Sequence, residues 1–314
     1  MKDTPMGIQL SDNLAKSYGF LEAGKPDKAR QALEVAAESD LDNKEIFFAL
    51  NCCHFMINSL RQTDSVQDYF ERGESLINEW KMFEHSTVYA KASQNVIYAV
   101  RRGFFTLALE NYSKLADEQD PRQKAEICRK IGLCYKKFGE YETAKNCLAE
   151  ANSLYPGSAA VLAELADCFA LCGEERKAKV LFREAFFIDP QKIDFSFLDS
   201  ELICCLIRKV TGKGYTGAVL QEWIPVYGIL FGIFNVKREL RSQEVGRLKQ
   251  EIYAKENESR DPSSDSAVLV PRLINLYFWL IDHYVLANEE QIKINQILLK
   301  IKLLDPAIYS LFVK

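Results

Sequence analysis

Proline and glycine are scarce in this chain, nine and fifteen among 314 residues. Scarcity of both excludes a turn-dense β architecture and favours long regular elements, most readily helices. No apolar run approaches the ~20 residues a helix needs to cross a bilayer. The longest, IPVYGILFGIF, ends within eleven residues, at Phe234. The opening MKDTPMGIQLSDNLAKSYGF lacks the apolar core of a secretory signal, so a soluble, cytoplasmic protein is expected. Charge of one sign is also missing. The net charge of -4 gives no global field that would draw the chain to nucleic acid or to an anionic membrane.

Metal and disulfide patterns are absent too. The nine cysteines include no C-x-x-C, and an odd count without a signal argues against a disulfide framework. Cys168 and Cys172 lie one helical turn apart, but a structural zinc requires four N or S ligands and no histidine is near in sequence. The three histidines are His54, His85 and His283. His54 falls where a buried structural side chain is expected. His85 reads as a residue of the loop that starts a helix, with Ser86 or Thr87 as cap. No nucleophile elbow, H-E-x-x-H or other catalytic signature occurs. No catalytic residue, metal or cofactor is therefore nominated, and the chain is read as a non-enzyme.

What is present is a repeat. AEICRKIGLCYKKFGEYETAKNCLAEANSLYPGS, from Ala125 to Ser158, aligns without a gap on AAVLAELADCFALCGEERKAKVLFREAFFIDPQK, from Ala159 to Lys192. Gly132 falls on Ala166, Tyr135 on Phe169, Gly139 on Gly173, Ala144 on Ala178 and Pro156 on Pro190. Small residues let two helices approach closely. A glycine just past a helix end terminates it, and a late proline stops the next. Weaker copies start at Leu10, Lys44 and Tyr89, the last offering Gly103, Ala108, Tyr112 and Pro121. Five helix pairs are thus expected between Leu10 and Lys192. Cys53, Cys134 and Cys168 share the tenth position of their copies, where a compact apolar side chain is wanted.

The 34-residue period and these positions resemble the tetratricopeptide repeat. The resemblance implies an all-α fold, a right-handed α-solenoid of antiparallel helix pairs over residues 1–192. A divergent helical extension would come next at 193–255, then a charged, serine-rich linker at 256–266 and a helical segment at 267–314. The extension contains a sixth, divergent helix pair and a charged helix over Val236 to Lys255, with an apolar stripe of Val245, Leu248 and Ile252.

RKVTGKGYTGAVLQEW, Arg208 to Trp223, contains G-x-G-x-x-G at Gly212, Gly214 and Gly217. A dinucleotide loop needs a strand before it and an acidic residue about twenty residues later. Aligned with the repeats, Tyr215 falls on Tyr141 and Ala218 on Ala144. The glycines then stand where the clear copies turn between helices, so a helix–helix turn is the expectation. A nucleotide-dependent enzyme or regulator using residues 212–217 is the alternative.

Helix-pair arrays coil around an extended concave surface. In the proteins resembled, positions two, five, nine, twelve and thirteen of each first helix line it. Here these include Phe48 and Phe55 of the copy from Lys44, Arg129, Leu133, Lys136 and Lys137 of the copy from Ala125, and Asp167 of the next, with Arg101 from the copy at Tyr89. The Lys-Asn carboxylate clamp of the family's co-chaperones is absent, its places holding Leu14 and Tyr18. The reading is a scaffold or adaptor that binds a peptide or helix of another protein, an acidic segment with an apolar anchor, over the basic middle of the groove. Homodimerisation through the N-terminal groove or the Val236 to Lys255 helix is a further alternative.

Overall fold

The computed structural model describes residues 5–86 and 93–313. It divides into two compact units, Met1–Tyr155 and Pro156–Lys314. Among the described residues all regular structure is helical.

The first unit contains α1 (Pro5–Glu22), α2 (Pro26–Ser39), α3 (Lys44–Thr63), α4 (Tyr69–Glu84), α5 (Gln94–Ser113), α6 (Pro121–Lys137) and α7 (Tyr141–Leu154). Helix starts obey local chemistry. Asn43, Asp68 and Asp120 each accept hydrogen bonds from the backbone N–H groups of the turn they cap, and Pro26 and Pro121 open their helices. The α6/α7 turn is made by Gly139 at φ +83°, where the Glu140 N–H donates to the Tyr135 carbonyl at 3.0 Å. Above that turn the two helices meet at Gly132. A Cβ there would stand 2.9 Å from Leu148 Cγ and 3.2 Å from the Ala144 carbonyl.

One expected pair is not a pair. The copy from Tyr89, whose first residues lie outside the described ones, folds from Gln94 to Ser113 as the single helix α5. Gly103 stands mid-helix, and Phe104 and Phe105 after it are fully buried, so a turn here would expose both rings. The helix packs on α1, α3, α4 and α6. The first unit therefore holds pairs α1/α2 and α6/α7 around a three-helix middle rather than an unbroken series. His85 caps the C-terminus of α4, its backbone N–H donating to the Lys81 carbonyl at 3.2 Å, and Thr87, one of the two caps expected after it, lies outside the described residues.

The second unit contains α8 (Ala159–Leu171), α9 (Glu175–Ile188), two short 3-10 turns (Pro190–Lys192 and Phe195–Phe197), α10 (Glu201–Thr211), α11 (Gly217–Leu230), α12 (Ser242–Glu258), α13 (Ser266–Leu286), α14 (Gln291–Leu304) and α15 (Pro306–Phe312). The α8/α9 turn repeats that of α6/α7. Gly173 has φ +82°, and the Glu174 N–H donates to the Phe169 carbonyl at 2.8 Å. One apolar core runs from Ala159 to Ile308, so residues 193–255 and 267–314 share it with the α8/α9 pair. The expected linker is shorter than its composition suggests: α12 extends through Glu258 and α13 starts at Ser266. Helix α13 is buried on nearly every side from Leu273 to Asp282. No helix among the described residues is long and apolar enough to cross a membrane.

Candidate functional site

The residues nominated for the groove do not form one open surface. Leu133 is fully buried, and Lys136 and Lys137 are 2% and 7% exposed, so neither ammonium is a solvated contact for a partner. Buried ammonium groups must be paired, and neither of these is free. Arg129 is half-buried and holds the Glu126 carboxylate through Nε at 2.8 Å and Nη2 at 2.5 Å. Asp167 is fully buried and accepts the backbone N–H groups of Asp199 and Ser200, both at 2.8 Å. It fixes the start of α10. Phe48 is buried, and Phe55 packs against Phe83 and Phe104 at ring distances of 5.2 and 6.3 Å. Arg101 is half-buried with its guanidinium 5.5 Å from the Tyr98 ring.

Polar networks explain other first-helix positions. Glu45 accepts Tyr18 Oη at 2.8 Å and Ser93 Oγ at 2.7 Å, tying α1 and the start of α5 to α3. Glu74 accepts Tyr112 Oη at 2.5 Å and Lys130 Nζ at 2.6 Å, joining α4, α5 and α6. Cys53, Cys134 and Cys168 are fully buried, as their shared position predicts. Burial pushes the Cys52 and Cys53 thiols up to about 12, which leaves them as packing groups at neutral pH. His54 is exposed, against the buried side chain expected of it. At this position α3 turns away from its neighbours, and the core contacts are made by Cys52, Cys53 and Met56.

The glycine loop joins α10 to α11, a turn between two helices. Gly212, Lys213 and Gly214 donate their N–H groups to the carbonyls of Arg208, Val210 and Thr211 at 2.9, 3.0 and 2.9 Å. Three of the loop's amides are thus spent on the end of α10. Lys213 lies 4.8 Å over the Tyr227 ring. The apolar stripe of α12 is occupied as well. Leu248 and Ile252 are buried in their own unit's core, and the helix starts at Ser242 rather than at Val236.

Two clefts merit comparison. In the first unit a space of about 670 Å³ lies between the starts of α4 and α6 and the end of α5, lined by Phe70, Leu115, Ile127 and several carboxylates. Four of the five carboxylates have structural duties: Asp68 and Asp120 cap helices, Glu118 accepts the Gln119 and Asp120 N–H groups, and Glu126 holds Arg129. In the second unit a groove of about 450 Å³ runs between α8 and α9, over Leu165, Phe169, Val180 and Leu181. Its rim carries Arg176 and Lys177, both exposed. Lys177 pairs with Glu174 at 2.5 Å and covers the Phe169 ring at 5.2 Å. Arg176 has no ion pair among the described residues. Both cations stand in the first turn of α9, where the helix dipole also favours an anion. Arg176 and Lys177 are not among the nominated groove residues, because they lie outside the first-helix positions. The signal that could have found them is a basic dipeptide one turn before the apolar pair Val180-Leu181.

No group of three or more His, Cys, Asp or Glu side chains able to hold a metal ion occurs among the described residues. Compared with known families and with curated proteins, the sequence matches no family model and none of those proteins. The fold itself defines an all-helical chain whose helices pack largely in adjacent pairs.

Proposed function

We propose that this chain is a non-catalytic, tetratricopeptide-type scaffold of the cytoplasm that holds a short acidic segment of another protein by an apolar anchor. The supporting observation is the apolar groove between α8 and α9 with its cationic rim. The repetition of the same helix–turn–helix in α6/α7 and α8/α9, down to the glycine φ and the hydrogen bond that closes each turn, supports the repeat type. An anchor side chain the size of Leu or Phe gains about 1.5–3 kcal/mol from full burial. Each exposed ion pair adds only about 0.2–1 kcal/mol. The floor therefore supplies most of the affinity and the rim supplies the preference for acid.

The test uses the full chain and an array of acidic peptides, each with a single Leu or Phe anchor, beside copies with serine in the anchor's place. Anchored peptides should bind and serine copies should not. Arg176→Glu with Lys177→Glu should weaken binding several-fold and flatten its salt dependence. A folded double variant that binds as the parent does would sink the assignment.

A further inference from the structure

The chain between α11 and α12, from Phe231 to Arg241, crosses α9 and α13 without forming a helix. Two apolar side chains anchor it. Phe234 is fully buried, its ring 6.5 and 5.7 Å from those of Phe182 and Phe186, and the Ile233 and Phe234 N–H groups both donate to the Gly228 carbonyl at 2.9 Å. Leu240 is buried in the same core. Between the anchors the character changes. None of Asn235 to Glu239 is buried, and none makes a backbone–backbone hydrogen bond among the described residues. Charge holds them instead. The Val236 carbonyl accepts Arg183 Nη1 at 2.9 Å, and Lys237 Nζ meets Asp282 at 2.7 Å. Arg238 donates to Glu184 of α9 at 2.8 and 2.5 Å and to Glu244 of α12 at 3.0 and 2.8 Å. The Arg238 guanidinium also lies 5.6 Å from the centre of the Trp279 ring, against which Arg183 and Phe187 pack at 4.6 and 4.3 Å. Trp279 is 3% exposed, and its indole Nε1 has no acceptor among the described residues.

A segment with few buried apolar contacts opens at a lower free energy than the core around it. Here the two kinds of fastening also differ in their response to salt. At about 1 M the screening length falls to ~3 Å, which weakens ion pairs that water reaches and leaves apolar burial in place. We infer that Asn235 to Glu239 form a charge-held strap, which lifts and closes as a unit over the α9/α13 seam while the helices stay folded, and which controls access to Trp279. Lifting strands no charge in the core. Lys237, Arg238, Glu184 and Glu244 are each at least partly exposed already, and the buried Arg183 keeps its pairing with Asp282. Phe234 and Leu240 stay seated, so the strap rises as a loop between fixed ends and can return without unfolding. Its opening lets water reach the indole that the closed position leaves without an acceptor. The device is independent of the groove between α8 and α9.

The test is limited tryptic cleavage of the full chain after Lys237, located by mass spectrometry. A synthetic peptide of residues 231–241 in the same tube corrects for the effect of salt on the protease. When closing outpaces cutting, the cleavage rate reports the population of the open strap. From about 0.05 to about 1 M sodium chloride, cleavage of the chain should rise at least about tenfold relative to the peptide, while sites within α9 and α13 stay protected. Hydroxyl-radical oxidation of Trp279 should rise in parallel. Arg238→Gln should be cut fast already at low salt, with a cooperative melting transition retained. Glu184→Gln, which leaves Arg238 its Glu244 partner, should fall between that variant and the parent. Cleavage that ignores salt, that rises only together with cuts in α9 and α13, or that stays at the parent rate in a folded Arg238→Gln overturns the proposal. So does a Trp279 that stays unreactive while the strap is cut. Should Arg238→Gln not fold, the salt series and Glu184→Gln decide the matter.

Discussion

Helix α5 and the pair α6/α7 carry the same punctuation and fold differently. In each, a fully buried alanine stands five residues after a glycine: Gly103 and Ala108, Gly139 and Ala144. At Gly139 the chain takes φ +83° and a new helix begins. At Gly103 it stays helical, and the missing side chain serves a contact instead: a Cβ would lie 2.2 Å from the Leu21 carbonyl. The residues just after each glycine separate the two outcomes. Glu140 and Glu142 suit an exposed helix start, whereas Phe104 and Phe105 need the core. The glycine itself is neutral between a bend and a close crossing.

Substitution can sharpen that contrast. The largest effect is expected at the crossing. Gly103→Ala drives Cβ into backbone that cannot swing aside, and overpacking of this kind costs about 1–3 kcal/mol, more than the ~1 kcal/mol the helix gains from alanine. Chemical denaturation should show a lower midpoint. An unchanged or raised midpoint would mean that α1 and α5 do not approach as described. Gly132→Ala is the intermediate case. Its nearest obstacle is the Leu148 side chain, which can adjust, so the net loss should be under about 1 kcal/mol, while Gly132→Leu should lose about 1–3 kcal/mol. The smallest effect belongs to the turn. Gly139→Asn should cost only a few tenths of a kcal/mol, because Asn288 already holds the same conformation at the α13/α14 turn, whereas Gly139→Ala should cost about 1 kcal/mol or slightly more. Equal losses for Asn and Ala at this position would refute the left-handed turn.

The two clear repeats were legible because each signal was redundant: small residues at the crossing, glycine at the turn, proline at the end, all at one spacing. The copy from Tyr89 misled because its signals were borrowed by another contact. The C-terminal half was legible as helices but not as a common core, since Asp282, Arg272 and Asn275 of α13 reach α9 residues more than eighty positions away. No local pattern encodes that. The candidate groove escaped for a different reason. Lys136 and Lys137 look on paper like solvated cations, and Arg176 and Lys177 look the same; burial separates them, and burial is a property of the assembled unit.

The bond between Arg183 and Asp282 spans 99 residues, and the contact of Asn275 with the Phe186 carbonyl spans 89. On a ribosome that adds about 5–20 residues per second, α9 waits on the order of 5–20 s for the helix that covers it. Phe187 lacks its Trp279 neighbour for nearly all of that interval, and Phe182 and Phe186 wait about half as long for Phe234. The first unit has a similar wait at one crossing, where Leu21 of α1 meets Gly103 of α5, but its α6/α7 pair closes as soon as both helices are made. Slowing translation after α9, while its phenylalanines still lack the cover of α13, should therefore lower the soluble yield more than the same pause after α7, by which point α1 and α5 have already met.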